Sequence, residues 1–266
     1  MRRGPGVLGW AVLALGLAFL YLPMALVVIY SFNAGRLVTV WSGFSLRWYG
    51  ELFRDEALLA SVLISFEVAL LAASLATLLG VCAGLGLARR ARLPARGLFT
   101  SAVYAPLVTP DILLGFSLLL LFISLGLPRG FATIVIAHAT ASIGYVAVVV
   151  RARLMQVDPA LEEAAQDLGA SPLKAFLTVV LPVIAPAVIA GWLLAFSLSL
   201  DDLVIASFTA GPGATTLPMR LYSQVRLGVN PEVNAVFSLM MLAVTLAAAA
   251  YAIILRQSAR GPRTGA

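Results

Sequence analysis

Four carboxylates sit where a charged group is costly. Glu67, Asp111, Asp201 and Asp202 all fall inside long apolar runs, and no lysine or arginine shares those runs at similar depth. An ionisable side chain at membrane depth marks a functional position by default. Unpaired carboxylates along a path suit a cationic solute. At ~1.5 Å per helical residue, Glu67 lies ~15 Å below the outer end of its run. By the same count Asp111 lies ~18 Å above the inner end of its own, and Asp201 ~28 Å above Pro182, near the outer mouth. The acids are thus expected to run from the outer face toward the centre. Tyr145 and Trp192 complete the pathway candidates, Trp192 as a possible cation–π surface.

Each of these residues also has a plainer reading. Asp111 follows Thr109-Pro110 and would suit the start of a helix resumed after a break. Glu67 could be hydrogen-bonded to a neighbouring helix. Asp201 and Asp202 are adjacent, so on a helix they point about 100° apart and only one need face a path. Trp192 could simply pack or face lipid. His138 reads as a packed, hydrogen-bonded residue rather than a ligand.

Positioning these groups requires membrane-spanning helices. The chain has 266 residues, 61% hydrophobic and 11% charged, which is the composition of an integral membrane protein. Six apolar segments are long enough to cross a bilayer: about 7–30, 57–88, 99–125, 131–150, 176–208 and 234–255. No strand-type alternation competes with them, so the expected fold is all-α. The second and fifth segments exceed a simple crossing and must tilt, kink or extend beyond the lipid. The first follows Arg2 and Arg3 but is longer than a signal-peptide core, so it reads as an uncleaved span.

Orientation follows from the basic residues. With the N-terminus inside, the inner segments hold twelve: Arg2, Arg3, Arg89, Arg90, Arg92, Arg96, Arg151, Arg153, Lys174, Arg256, Arg260 and Arg263. The outer segments hold six: Arg36, Arg47, Arg54, Arg129, Arg220 and Arg226. Both termini are therefore expected in the cytoplasm. The net charge of +6 is a topology signal of this kind and does not indicate nucleic-acid binding. In the outer segments, Trp41, Phe44, Trp48, Tyr49 and Phe53 read as interfacial aromatics. Gly211-Pro212-Gly213 signals a turn, and 219–227 a short helix. Ala69, Ala73, Ala76, Gly80 and Gly84 put small residues near one face of the second span, which suits close helix contact.

The polar stretch from Asp158 to Pro182, DPALEEAAQDLGASPLKAFLTVVLP, interrupts the apolar second half. Asp158 and Pro159 form a helix start, Glu162 and Glu163 sit near its positive end, and Gly169 is a natural stop. Ser171-Pro172 starts a second helix at once. The topology places the loop 151–175, which holds most of this stretch, on the inner side. By its caps alone it could be an ordinary interfacial amphipathic helix.

The stretch also carries a resemblance. Glu163-Ala164-Ala165, then Gly169, Val179 and Leu181-Pro182, resembles the EAA loop of ABC-importer permeases, with Val179 where isoleucine is usual. Further segments are similar to permeases of the spermidine/putrescine type: YSFN at 30–33, GFSL-x-WY at 43–49, SLDDLV at 199–204 and GPGATTLPM at 211–219, the last leaning toward the putrescine-type member. The resemblance spans about residues 8–255. It implies a single transmembrane domain of the type I importer (MetI-like) permease fold. It also implies an EAA coupling loop built on Glu162, Glu163, Ala164, Ala165, Gly169, Leu181 and Pro182. The partners it implies are an ATPase dimer, a second permease chain and a periplasmic or lipid-anchored polyamine-binding protein, in a bacterial inner membrane.

The chain lacks the Gly-x4-Gly-Lys-Ser/Thr phosphate loop, so it is expected to bind no cofactor itself; ATP would be used by the partner subunit. One cysteine and one histidine offer no metal-ligand cluster and no nucleophile–base constellation, which argues against an enzyme. Two other readings stay open: a permease for another solute, or a secondary cation-coupled transporter using Glu67 and Asp111 as carriers.

Overall fold

The computed structural model describes residues 6–37, 40–89, 95–227 and 231–258, with 227 and 247–258 described by backbone alone. Among these residues the ordered structure is helical, apart from one isolated antiparallel bridge between Asn33 and Phe44. The helices form two compact units, 1–57 with 221–266, and 58–220.

In the first unit, α1 (Val7–Tyr30) packs along α12 (Pro231–Ser258), and the short α2 (Arg47–Leu52) packs on α12 as well. No residue of α1 is buried, so its apolar surface is left for lipid or another chain. The turn after α1 is built on Asn33. Its side-chain amide donates to the carbonyls of Leu37 (3.1 Å) and Val40 (2.7 Å), and its Oδ1 accepts from Ser42 N at 2.7 Å. Its own carbonyl accepts from Trp48 Nε1 at 2.7 Å. Trp48 is only 2% exposed, so it is a core residue and not the interfacial aromatic expected. Phe44, Trp41 and Phe53 do remain exposed.

The second unit centres on α6 (Phe131–Leu154) packed against α9 (Leu181–Asp201). α3 (Glu56–Arg89) lies against α6 through its small residues. Ala69, Ala73, Ala76, Gly80 and Gly84 are all buried. A Cβ on Gly80 would lie 2.6 Å from Val146 Cβ, so only glycine permits this approach. Ala72, Ala76, Val146, Val150 and Ile184 form the shared core.

Two of the expected spans are broken. The third divides into α4 (Arg96–Val108) and α5 (Asp111–Ser124), bent by 116°. Pro110 lacks an N–H and forces Thr109 into extended backbone, ψ 127°, which ends α4. The fifth runs further at its inner end and stops sooner at its outer end than expected. It begins with α8 (Pro172–Ala175), passes through a π-helical turn at Phe176–Val180, and ends at Asp201. The wide turn makes room for Pro182, whose ring would otherwise crowd the Thr178 carbonyl. Residues 202–203 are non-helical, and a separate α10 (Val204–Thr209) follows. The polar stretch between spans therefore shrinks from 151–175 to 155–171, and it carries α7 (Ala160–Asp167).

Among the described residues, four continuous helical stretches are long and apolar enough to cross a membrane, and the bent α4–α5 pair is a fifth candidate. α12 (Pro231–Ser258) runs through the sixth span expected at 234–255, and its side chains are described as far as Leu246. α11 (Leu217–Leu227) confirms the short helix expected there and starts with Leu217 N donating to Ser65 Oγ at 2.7 Å. Arg2, Arg3, Arg90, Arg92, Arg260 and Arg263, half of the inner basic residues behind the expected orientation, lie outside the described residues.

Candidate functional site

A cavity of about 310 Å³ opens in the second unit where α5, α6, α9 and α10 meet. The two breaks in the expected spans are what create it. At one, α5 starts with Asp111 immediately after the bend. At the other, α9 stops at Asp201 and leaves Asp202 in extended backbone, φ −68° and ψ 123°. Asp111, Asp201 and Asp202 all line the cavity, with Tyr145, His138, Ser142 and Ser199. No lysine or arginine is part of this lining, so the acids dominate its electrostatics.

The three acids are held differently. Asp202 Oδ1 accepts from Ala206 N at 2.8 Å and so caps α10. The same oxygen lies 3.2 Å from His138 Nε2. That ring N–H points off the line to the carboxylate, so the contact is electrostatic and not an aligned hydrogen bond. On the other side of the ring, His138 Nδ1 and Ser199 Oγ are 2.7 Å apart. Asp111 and Asp201 form no ion pair among the described residues, and both are exposed.

The depth count separated Asp111 from Asp201, and the structure corrects it by gathering them at one cavity. The count assumed straight spans, whereas both elements break beside the acids. Glu67 does not join them. It lies on an exposed apolar face of α3 with Leu63, Phe66 and Leu70. Trp192 also sits elsewhere, stacked on Phe196 at 5.2 Å with Nε1 donating to Ser74 Oγ at 3.2 Å. Ser142 and Ser199 were missed; a serine in an apolar span carries no sequence signal that separates it from local backbone bonding.

The polar stretch forms a second structured surface. Asp158 Oδ1 accepts from Ala160 N at 2.9 Å, which caps α7. Gly169 closes the helix at φ +87°, with Gly169 N donating to the Gln166 carbonyl and Ala170 N to that of Ala165. Ser171 Oγ then accepts from Lys174 N at 3.4 Å, starting α8. Leu161, Ala164 and Leu168 share one face of α7. All three are exposed, Leu168 at 90%. Glu163 is exposed beside them, while Glu162 turns back to pair with Arg89 of α3. Ala165 is half-buried. Leu181 and Pro182 lie beyond, at the start of α9 after the π turn.

Residues 76–261 match the family described as binding-protein-dependent transport system inner membrane component. The chain belongs to that family. It is a multi-pass bacterial inner-membrane component, and its family is one of transporters rather than enzymes. The chain is 55% identical over 239 residues to the putrescine transport system permease protein PotI of Escherichia coli (strain K12), covering 88% of this chain and 85% of that protein. It is 36% identical over 244 residues to the spermidine/putrescine transport system permease protein PotC of the same strain, covering 92% of each. Among solved structures, a chain of a bacterial ABC transporter involved in the import of the acidic polysaccharide alginate superposes with a TM-score of 0.73 at 16% identity. The overlap covers 94% of this chain and 95% of that one. A chain of the bacterial alginate ABC transporter in complex with a pentasaccharide-bound periplasmic protein gives 0.69 at 15% identity, covering 90% and 88%. At such identities the likeness concerns the fold, which it identifies as that of ABC-importer permeases.

Proposed function

We propose that this chain is the permease subunit of an ATP-driven importer that carries polyamines, putrescine or spermidine, across the inner membrane. The observation that carries the reading is the 55% identity to a putrescine permease along 88% of the chain. The cavity supports it chemically: carboxylates without lysine or arginine beside them suit ammonium groups and disfavour an anion. Asp111 and Asp201 are the proposed solute contacts, with Tyr145 on the wall. Glu67 and Trp192 lie elsewhere and are assigned no contact here.

Energy reaches the chain through α7 in this reading. The exposed Leu161, Ala164 and Leu168 face, with Glu163 at its edge, is the docking knob for a partner ATPase, which uses the ATP. Gly169, Leu181 and Pro182 fix the turn and the wide helical start through which α7 moves α9. A second permease chain and a periplasmic or lipid-anchored binding protein complete the assembly, as a single transmembrane domain of this kind requires. Alternation between inward- and outward-open states follows from which partner state α7 is bound to.

Uptake by the assembled complex of labelled putrescine, spermidine, phosphate and a neutral sugar tests this. Amine-only uptake that requires the ATPase is expected. Uptake of phosphate or sugar would overturn the solute assignment. Amine uptake that persists without the ATPase and collapses with the ion gradient would overturn the importer class.

A further inference from the structure

His138 is a single buried histidine, 2% exposed, that touches both the end of α9 and the break that follows it. Ser199 lies on α9 before the break and Asp202 within it, and both contact the same ring, at 2.7 and 3.2 Å. Asp202 Oδ1 also receives the Ala206 N–H. Ser199, His138, Asp202 and the start of α10 therefore form one chain of contacts.

The ring's protonation follows from its neighbours. A lone pair on Nε2 facing a carboxylate oxygen at 3.2 Å would be repulsive, so Nε2 carries a hydrogen. In the neutral ring Nδ1 then accepts from the Ser199 hydroxyl. Nε2 has no hydrogen-bond partner among the described residues, and the Asp202 carboxylate is its electrostatic contact.

Resting on the polyamine reading, we propose that His138 is a specificity-determining positioning residue, holding Asp202 against α10 so that only Asp111 and Asp201 of this chain meet the solute. Two free carboxylates match the two ammonium groups of a diamine. Asp202 already lies against the His138 ring edge and caps a helix N-terminus. Releasing it would turn a third, mostly buried carboxylate toward the cavity. An incompletely partnered carboxylate there draws an additional ammonium group, which a triamine has and a diamine lacks.

The test is uptake by the full complex, measuring kcat/KM for labelled putrescine and spermidine in wild type, His138→Asn, His138→Gln and His138→Asn with Asp202→Asn. Asparagine keeps the position of Nδ1 but cannot reach Asp202; glutamine places an N–H near Nε2. The expected result is a shift of the spermidine-to-putrescine ratio by about tenfold in His138→Asn, the size of one charge-assisted contact. His138→Gln restores the wild-type ratio, and the double variant loses the shift. Equal loss of both amines in His138→Asn, or a shift that survives in the double variant, would overturn the proposal. If His138→Asn fails to assemble, Ser199→Ala loosens the same ring and is expected to shift the ratio in the same direction; an unchanged ratio there would overturn it too. Wild-type uptake of neither amine would remove the polyamine reading and this inference with it, whereas amine uptake with an unshifted ratio removes this inference alone.

Discussion

Arg89 at the end of α3 and Glu162 in the first turn of α7 form an ion pair, Nη1 to Oε2, at 2.7 Å. The pair ties the exposed α7 to α3, the longest of the described helices. Each side chain is about a quarter exposed (26% and 25%), so solvent screens the pair, and it is worth about 1 kcal/mol at most. Its value lies in transmission, because it fixes the orientation of α7 relative to α3. Glu162→Gln is expected to lower amine transported per ATP hydrolysed by about 2- to 5-fold, the rate equivalent of such a contact. The exchange Arg89→Glu with Glu162→Arg should recover much of that loss. A double variant that merely adds the two single losses would show that the pair transmits nothing.

Leu168 is the side chain that most plainly lacks a partner, and Glu163 borders the same face. Glu163→Lys and Leu168→Glu are each expected to reduce the ATPase that co-purifies with the complex, while membrane insertion stays normal. An anchor leucine at an interface core contributes about 2 kcal/mol, so Leu168→Glu should weaken the association by roughly 30-fold. Undiminished co-purification in both variants would assign α7 to some other surface role.

How far these features could be read in advance depended on what ends each helix. α1 was legible to the residue, Val7–Tyr30, because apolar composition alone defines it. The α4–α5 bend was legible as a possibility because Pro110 announces it. The α9–α10 break was not, since Ser199-Leu200-Asp201-Asp202-Leu203 contains no proline or glycine. It exists because the Asp202 carboxylate turns forward to cap α10 and meets His138, a contact between residues 64 positions apart. The same blindness to tertiary contact misplaced Trp48, whose indole N–H finds the Asn33 carbonyl and takes the ring into the core. The cap, stop and restart around α7 are local, and all three were legible from residue type.

Asp201 is the carboxylate expected to meet the solute most directly, being exposed to the cavity while Asp202 is occupied. Asp201→Asn is expected to raise the KM for putrescine about tenfold, with a smaller change in maximal rate, as the loss of one solvent-accessible ammonium contact implies. Trp192→Phe should leave that KM unchanged, because Trp192 stacks on Phe196 away from the cavity. Kinetics of uptake in the two variants would check this. A KM that moves with Trp192 but not with Asp201 would relocate the solute path to the α3–α9 side.

The cavity wall depends on how closely α4 approaches α6. At Gly144, a Cβ would lie 2.6 Å from the Val103 carbonyl oxygen and 2.9 Å from Leu107 Cγ. Backbone on one side and a packed leucine on the other leave little room to adjust. Gly144→Ala is therefore expected to destabilise the complex by about 1–3 kcal/mol, the usual cost of overfilling a packed interior. Gly97→Ala is the matched control on α4, since a Cβ there meets nothing within 4 Å. Gly97 lies in the first turn of α4, where the gain in helix propensity is smaller than at the interior Gly144, so the difference between the two understates the packing cost. Thermal unfolding of the purified complex measures it, with a lower midpoint expected for Gly144→Ala only. Tyr145 and Asp111 both depend on this approach: one follows Gly144 on α6 and the other begins the helix after α4. Any Gly144→Ala complex that does assemble should therefore also show a raised KM for the amine. A variant as stable as the Gly97→Ala control, with unchanged KM, would mean that α4 can move away from α6 without cost, and the cavity would then not be held by this contact.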